Sequence, residues 1–127
     1  MKVTNGKRGR IEKIRLSKLI VFNGYKILEA VIEIDHINKG LDEKSGQLKK
    51  RSRTNFTVRE IGRFVDSLDG EDLVPVRRKG TKSRFVIKIN SPIRRVHFDR
   101  LFIMIFEHDS QKSNEIYLIT IYPHGEL

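Results

Sequence analysis

Two apolar runs near the end of the chain constrain the fold most. Leu101 to His108 and Glu115 to Tyr122 are rich in Ile, Phe and Tyr and almost free of charge. Both are too short to cross a membrane as helices, and their β-branched and aromatic content suits strands in the middle of a sheet, buried on both faces. Asp109 to Asn114 between them is polar and short enough for a hairpin. A second pair of shorter runs precedes them. Val74 to Arg78 is weakly strand-like, and in Ser83 to Ile89 the residues Phe85, Ile87 and Ile89 alternate with Arg84, Val86 and Lys88, with Gly80 at a hairpin position between the runs.

The helix signal lies upstream. Thr57 followed by Glu60 forms a capping box, in which the hydroxyl accepts from the Glu60 amide and the carboxylate reaches back to the Thr57 amide. Phe56 and Ile61 make the matching hydrophobic staple, Val58, Ile61, Phe64, Val65 and Leu68 follow helical spacing, and Gly70 is placed to end the helix. Nearer the start, Ile14, Leu16 and Leu19 to Phe22 suit a strand. Ile27 to His36 fits a strand, with Ile32, Ile34 and His36 on one face, or a helix on Ile27, Val31 and Ile34; its β-branched residues favour strand. Asn38 to Ser52 reads as a charged loop. The expected fold is α+β: an antiparallel sheet of about four to five strands packed on one main capped helix, residues 58–68, with an N-terminal strand or helix.

The chain's 127 residues suit a single domain, 1–127, with its core over 27–123 and a basic extension over 1–26. Lys and Arg number 26 against 16 Asp and Glu, a net charge of +10, which favours a polyanionic partner, nucleic acid first. The basic residues concentrate in three blocks, 1–26, 44–63 and 77–100, separated by acidic ones. With no cysteine, disulfide scaffolds, Cys-ligated metals and Cys nucleophiles are excluded. The N-terminus is basic but has no apolar stretch behind it, so it is no secretory signal, and a cytoplasmic protein without membrane contact is expected.

His36 stands where an apolar run meets a charged loop, and Lys49-Lys50-Arg51-Ser52-Arg53-Thr54 comes directly before the capped helix. A histidine that exchanges protons and guanidiniums that neutralise a phosphate are the minimum equipment for cleaving RNA without a metal. The plainer alternative is an ordinary partly buried histidine and a solvated basic loop. Asp35-His36-Ile37 also looks like the opening of an HNH-type metal nuclease, although nothing downstream supplies the rest of that motif. His97, His108 and His124 lack metal-ligand spacing, and no phosphate-binding glycine loop or Ser-hydrolase elbow occurs. Neither metal nor cofactor is expected. Lys49, Lys50, Arg77, Arg78, Lys79 and Lys82 are the candidates for phosphate contact, with solvated surface the default for such charge runs.

The succession VIEIDHINKG, KKRSRTNFTVREIGRFVDSL, VPVRR, RFVIKI, RLFIMIFEHD and EIYLITIYP resembles the small ribonuclease toxins of the barnase, EndoU, colicin and RelE superfamily over residues 27–123. The resemblance implies a metal-independent endoribonuclease in which the ribose 2′-hydroxyl attacks the phosphate and leaves a 2′,3′-cyclic phosphate. His36 matches the catalytic histidine, and Arg53 the arginine before the helix, with Arg51 the alternative. Thr120 and Tyr122 match the polar positions of the last strand, where alternation places them on one face and Tyr117 on the other. It further implies RNA as substrate and an acidic antitoxin or immunity protein as partner. A non-catalytic RNA- or DNA-binding module using the same basic blocks is the alternative.

Overall fold

A computed structural model describes residues 11–39, 55–94 and 99–124. Its strands are β1 (Ile11–Phe22), β2 (Tyr25–Glu33), β3 (Arg77–Lys79), β4 (Lys82–Asn90), β5 (Leu101–Asp109) and β6 (Glu115–Pro123). Two helices, α1 (Ile34–Lys39) and α2 (Val58–Asp66), follow β2. All six strands join one sheet in the order β1-β2-β6-β5-β4-β3. Every neighbouring pair is antiparallel except β2 and β6, which run parallel.

This corrects the expected antiparallel sheet of four to five strands packed on one main helix. The described residues are mostly sheet, the sheet is mixed, and the one substantial helix among them ends at Asp66 rather than residue 68. One local and one long-range cause account for the difference. Asn23 and Gly24 both take positive φ, 49° and 81°, as the two central residues of a type I′ turn must, and so fold β1 back on β2 as a hairpin. The parallel pairing joins residues 29–32 to 115–118, far apart in the chain, and no local pattern encodes such a register. Pro75 accounts for the shortness of β3. It removes a backbone donor, Val74 and Val76 stay 85% and 62% exposed, and although the Val76 N–H donates to the Arg84 carbonyl at 2.8 Å, the ladder register runs only from Arg77.

The run containing His36 is also corrected. Strand β2 stops at Glu33 and α1 begins at Ile34, so His36 is helical. Ile34 and Ile37, one turn apart, are both buried. Asp35 lies in the first turn, where the helix dipole favours a carboxylate. Asn38 then holds the end of the turn, since its amide donates to the Phe56 carbonyl and accepts from the Phe56 N–H, each at 2.8 Å.

Helix α2 forms as its sequence predicts. Thr57 Oγ1 accepts from the Glu60 N–H at 3.1 Å, and Glu60 Oε1 accepts from the Thr57 N–H at 3.0 Å. Its buried stripe of Ile61, Phe64 and Val65 lies on the first face of the sheet, where Phe64 and Phe56 each meet Phe102 with ring centroids 5.6 Å apart. This face carries the core: Ile32, Leu118, Phe106 and Phe85 make one cross-strand row through β2, β6, β5 and β4. Among the described residues no helix is long and apolar enough to cross a membrane.

Candidate functional site on the second face of the sheet

Residues paired across neighbouring strands share a face, so the register defines what the second face displays. Lys13, Val31, Tyr117, Glu107, Arg84 and Arg77 form one continuous row across all six strands. Beside it, Lys79 is opposite Lys82 and Lys82 opposite Asp109. Cations therefore gather on β3 and β4, and carboxylates occupy the middle strands.

The β6 strand departs from simple alternation. Tyr117 pairs with Glu107 and Leu118 with Phe106, but Thr120, not Ile119, pairs with Ile105, and Tyr122 with Ile103. The extra residue is a β-bulge, which reverses the parity of everything after it. Tyr117, Thr120 and Tyr122 consequently share the second face. The expectation that Tyr117 points away from the other two is corrected, and the polar positions of the last strand number three.

Tyr117 is the hub of this group. Its hydroxyl donates to Glu33 Oε2 at the end of β2, and Glu33 is 1% exposed. Helix α1, starting from the next residue, lies against β6. His36 on α1 is 3% exposed and Thr120 is 4% exposed, whereas Tyr122 is half-buried. His36 is thus held by the interior rather than shared with solvent. On its other side Tyr117 lines a hollow with Lys82, Glu107, Asp109, Lys112 and Glu115. A second hollow, lined by Arg77, Lys79, Lys82, Arg84 and Glu107, adjoins it through the shared Lys82 and Glu107.

Charge across these hollows is partly neutralised. Arg84 Nη2 donates to Glu107 Oε2 at 3.0 Å, and among the described residues the Arg84 Nε, though buried, has no partner. On the far side Lys13 Nζ lies 3.1 Å from Glu115 and 3.7 Å from Glu29; its hydrogen bond to Glu115 and the two carboxylate charges raise its pKa. Near the turn of the β3–β4 hairpin, Asp109 has its pKa lowered, first by the Gln111 N–H at 2.9 Å and then by the Thr81 hydroxyl. Arg77, Lys79 and Lys82 are exposed cations on one face of this hairpin.

Of the residues singled out in the sequence, Arg77, Lys79 and Lys82 come together on the second face; Thr120 and Tyr122 share that face but stand in the rows of Val86 and Lys88, four and six residues along β4 from Lys82. Arg78 is opposite Ser83 and projects from the first face, apart from its neighbours. Lys49, Lys50, Arg51 and Arg53 lie outside the described residues. Sequence reasoning missed Glu33, Tyr117 and Glu107. Glu33 carried a signal, as a carboxylate with Ile32 and Ile34 on either side, but Tyr117 needed the bulge to be known. Among the described residues no group of three or more His, Asp or Glu is arranged to hold a metal ion. No protein-family model, no curated protein and no solved structure matches the chain.

Proposed function

We propose that the protein binds RNA on the second face of its sheet and cleaves it by metal-independent attack of the 2′-hydroxyl, as a cytoplasmic toxin held in check by an acidic protein partner. The observation that carries this reading is the bulge in β6, which sets Tyr117, Thr120 and Tyr122 on the face that also bears Arg77, Lys79 and Lys82. The cations hold the phosphate and offset charge in the transition state. Tyr117 takes the 2′-proton as its own passes to Glu33, and the 2′-oxygen closes on phosphorus. The leaving 5′-oxygen takes a proton from His36, in the role that the resemblance implies. RNA rather than DNA is the substrate because only RNA has the attacking hydroxyl. The net charge of +10 supports an acidic neutralising partner.

Purified protein is expected to cut RNA in the presence of EDTA, leaving cyclic-phosphate or 3′-phosphate ends and intact DNA. Tyr117→Phe and His36→Ala are each expected to lose about 10²- to 10⁴-fold in rate, the usual share of a positioned acid or base. Full activity in both variants defeats the site assignment. Cleavage that requires a divalent ion favours an HNH-like mechanism instead. The burial of His36 and Glu33 favours a second reading, a non-catalytic RNA-binding module, whose signature is tight binding with no cleavage under any condition.

A further inference from the structure

The first face holds a cavity that the proposed cleavage does not use. Near the β1–β2 and β3–β4 turns, Phe22, Tyr25, Arg78, Ser83, Phe85 and His108 surround a space of about 320 Å³. The register explains their meeting. Arg78 is opposite Ser83, and Ser83 is opposite His108, so a guanidinium, a hydroxyl and an imidazole stand in one row across β3, β4 and β5.

Aromatic rings line the rest of this half-open hollow. Tyr25 lies over His108 with centroids 4.3 Å apart and planes inclined at 44°, and Phe22 meets Phe85 edge-on at 4.9 Å. Tyr25 is 37% exposed, so part of its ring is open to a ligand. His108 is 4% exposed, and its Nε2 lies 3.1 Å from the Ser113 carbonyl oxygen. A carbonyl only accepts, so Nε2 carries a proton, and Nδ1 when unprotonated is an acceptor. The Ser83 hydroxyl beside it can donate or accept. Arg78 stands exposed at the rim.

These groups specify a flat ring with an N–H edge, joined to an anion. We propose that the cavity is a nucleotide subsite: a base lies against Tyr25, its N–H edge meets His108 Nδ1 and Ser83, and its phosphate meets Arg78. The volume is at the lower end of the ~300–1,000 Å³ range of small-molecule sites, which suits one nucleotide rather than a folded segment. The subsite rests on the reading of the second face as an RNA surface and extends it around the sheet. Because β3 is the last strand, with Arg77 and Lys79 projecting from one face and Arg78 from the other, a single RNA strand rounding that edge meets cations on both sides.

The test titrates the intact protein with adenosine and uridine 5′-monophosphates, adenosine, inorganic phosphate and a single-stranded RNA hexamer, following the Tyr25 and His108 ring resonances. Both nucleotides are expected to shift these signals, and phosphate alone to leave them unchanged. Tyr25→Leu should weaken nucleotide binding about tenfold, within the usual range of base–aromatic stacking, and Tyr25→Phe should not. Arg78→Ala, at an exposed position that the fold does not need, should weaken the nucleotides but not adenosine. Unchanged nucleotide affinity in Arg78→Ala and Tyr25→Leu overturns the subsite, as does phosphate binding as tightly as the nucleotides. A hexamer that depends on Arg77, Lys79 and Lys82 but ignores Arg78→Ala and Tyr25→Leu overturns the subsite and leaves the RNA surface standing. Nucleotides that bind here while no RNA binds the second face support the subsite, as a site for free nucleotides, and remove the RNA surface.

Discussion

Single side chains tie the ends of elements to one another, and two of them make measurable predictions. Thr57 and Glu60 satisfy each other's backbone donors at the start of α2, so Thr57→Ala should destabilise the domain by about 1 kcal/mol in chemical denaturation. RNA cleavage per folded molecule should not change, because Thr57 lies on the first-face side with α2. Asp69 does a related job for β1. Its carboxylate accepts from the Val21 N–H at 2.9 Å and lies 3.5 Å from Lys18 Nζ; the backbone hydrogen bond, then the Lys18 charge, lowers its pKa. A lowered folded-state pKa means that the bond contributes stability above the ordinary carboxylate range and loses it as pH falls through the folded value. Asp69→Asn should therefore be less stable than the parent at neutral pH. The two stability curves should converge below about pH 4, where carboxylates protonate; a constant gap down to pH 2 would contradict the assignment. The capping box was legible because its partners are three residues apart. Asp69 was not, because its acceptor role depends on a strand that arrives from residue 21.

At the level of elements, α2 comes close to β1 at a glycine. A Cβ at Gly62 would come within 3.3 Å of Ile14 Cδ1, the mobile end of a half-buried side chain. That end can yield, so Gly62→Ala should keep most of the helix-propensity gain of about 1 kcal/mol and raise the melting temperature. Gly62→Leu, which the same gap cannot take, should lower it by pushing α2 off the sheet; equal effects of the two would mean that α2 does not approach β1 closely. The strands show a similar contrast between local and distant information. Alternation in β4 and the continuous apolar runs of β5 and β6 were readable from periodicity, and Asn23-Gly24 was a hairpin signal available in the sequence. The bulge at Ile119 was not readable, because Glu115 to Tyr122 is apolar at nearly every position and any parity fits it. The candidate site depends on that parity, so the sequence shows the strand but not the face on which Tyr117 lies. For α1, β-branched Ile34 and Ile37 suggested a strand, and the tertiary bond between Asn38 and Phe56 stabilises a helical turn instead.

At the scale of the whole molecule, the positive charge of the described residues is not spread evenly, and its arrangement governs how the proposed RNA binding should depend on salt. Of the basic block over residues 77–100, Arg77, Lys79 and Lys82 converge on one face of the β3–β4 hairpin and line a single hollow. Arg84 is there too but is paired with Glu107, and at the opposite edge of the sheet Lys13 is paired with Glu29 and Glu115. Among the described residues, the hairpin cations are thus well placed to replace the counterions of a phosphate backbone. Each phosphate neutralised on a single strand contributes about −0.7 to the slope of log K against log salt. Changing Arg77, Lys79 and Lys82 together to Ala should therefore make that slope shallower by about 2 if each cation neutralises one phosphate. Measured on a single-stranded RNA across a salt series, the loss in affinity should be largest at low salt and shrink as salt rises. Changing Lys13 to Ala should leave the slope close to that of the parent, since its charge is already compensated by two carboxylates. An unchanged slope in the triple variant, or an equal change in both, would mean that the anion-binding surface lies elsewhere on the chain. A steep slope lost only with Arg77, Lys79 and Lys82 would tie RNA affinity to the face that carries Tyr117, Thr120 and Tyr122.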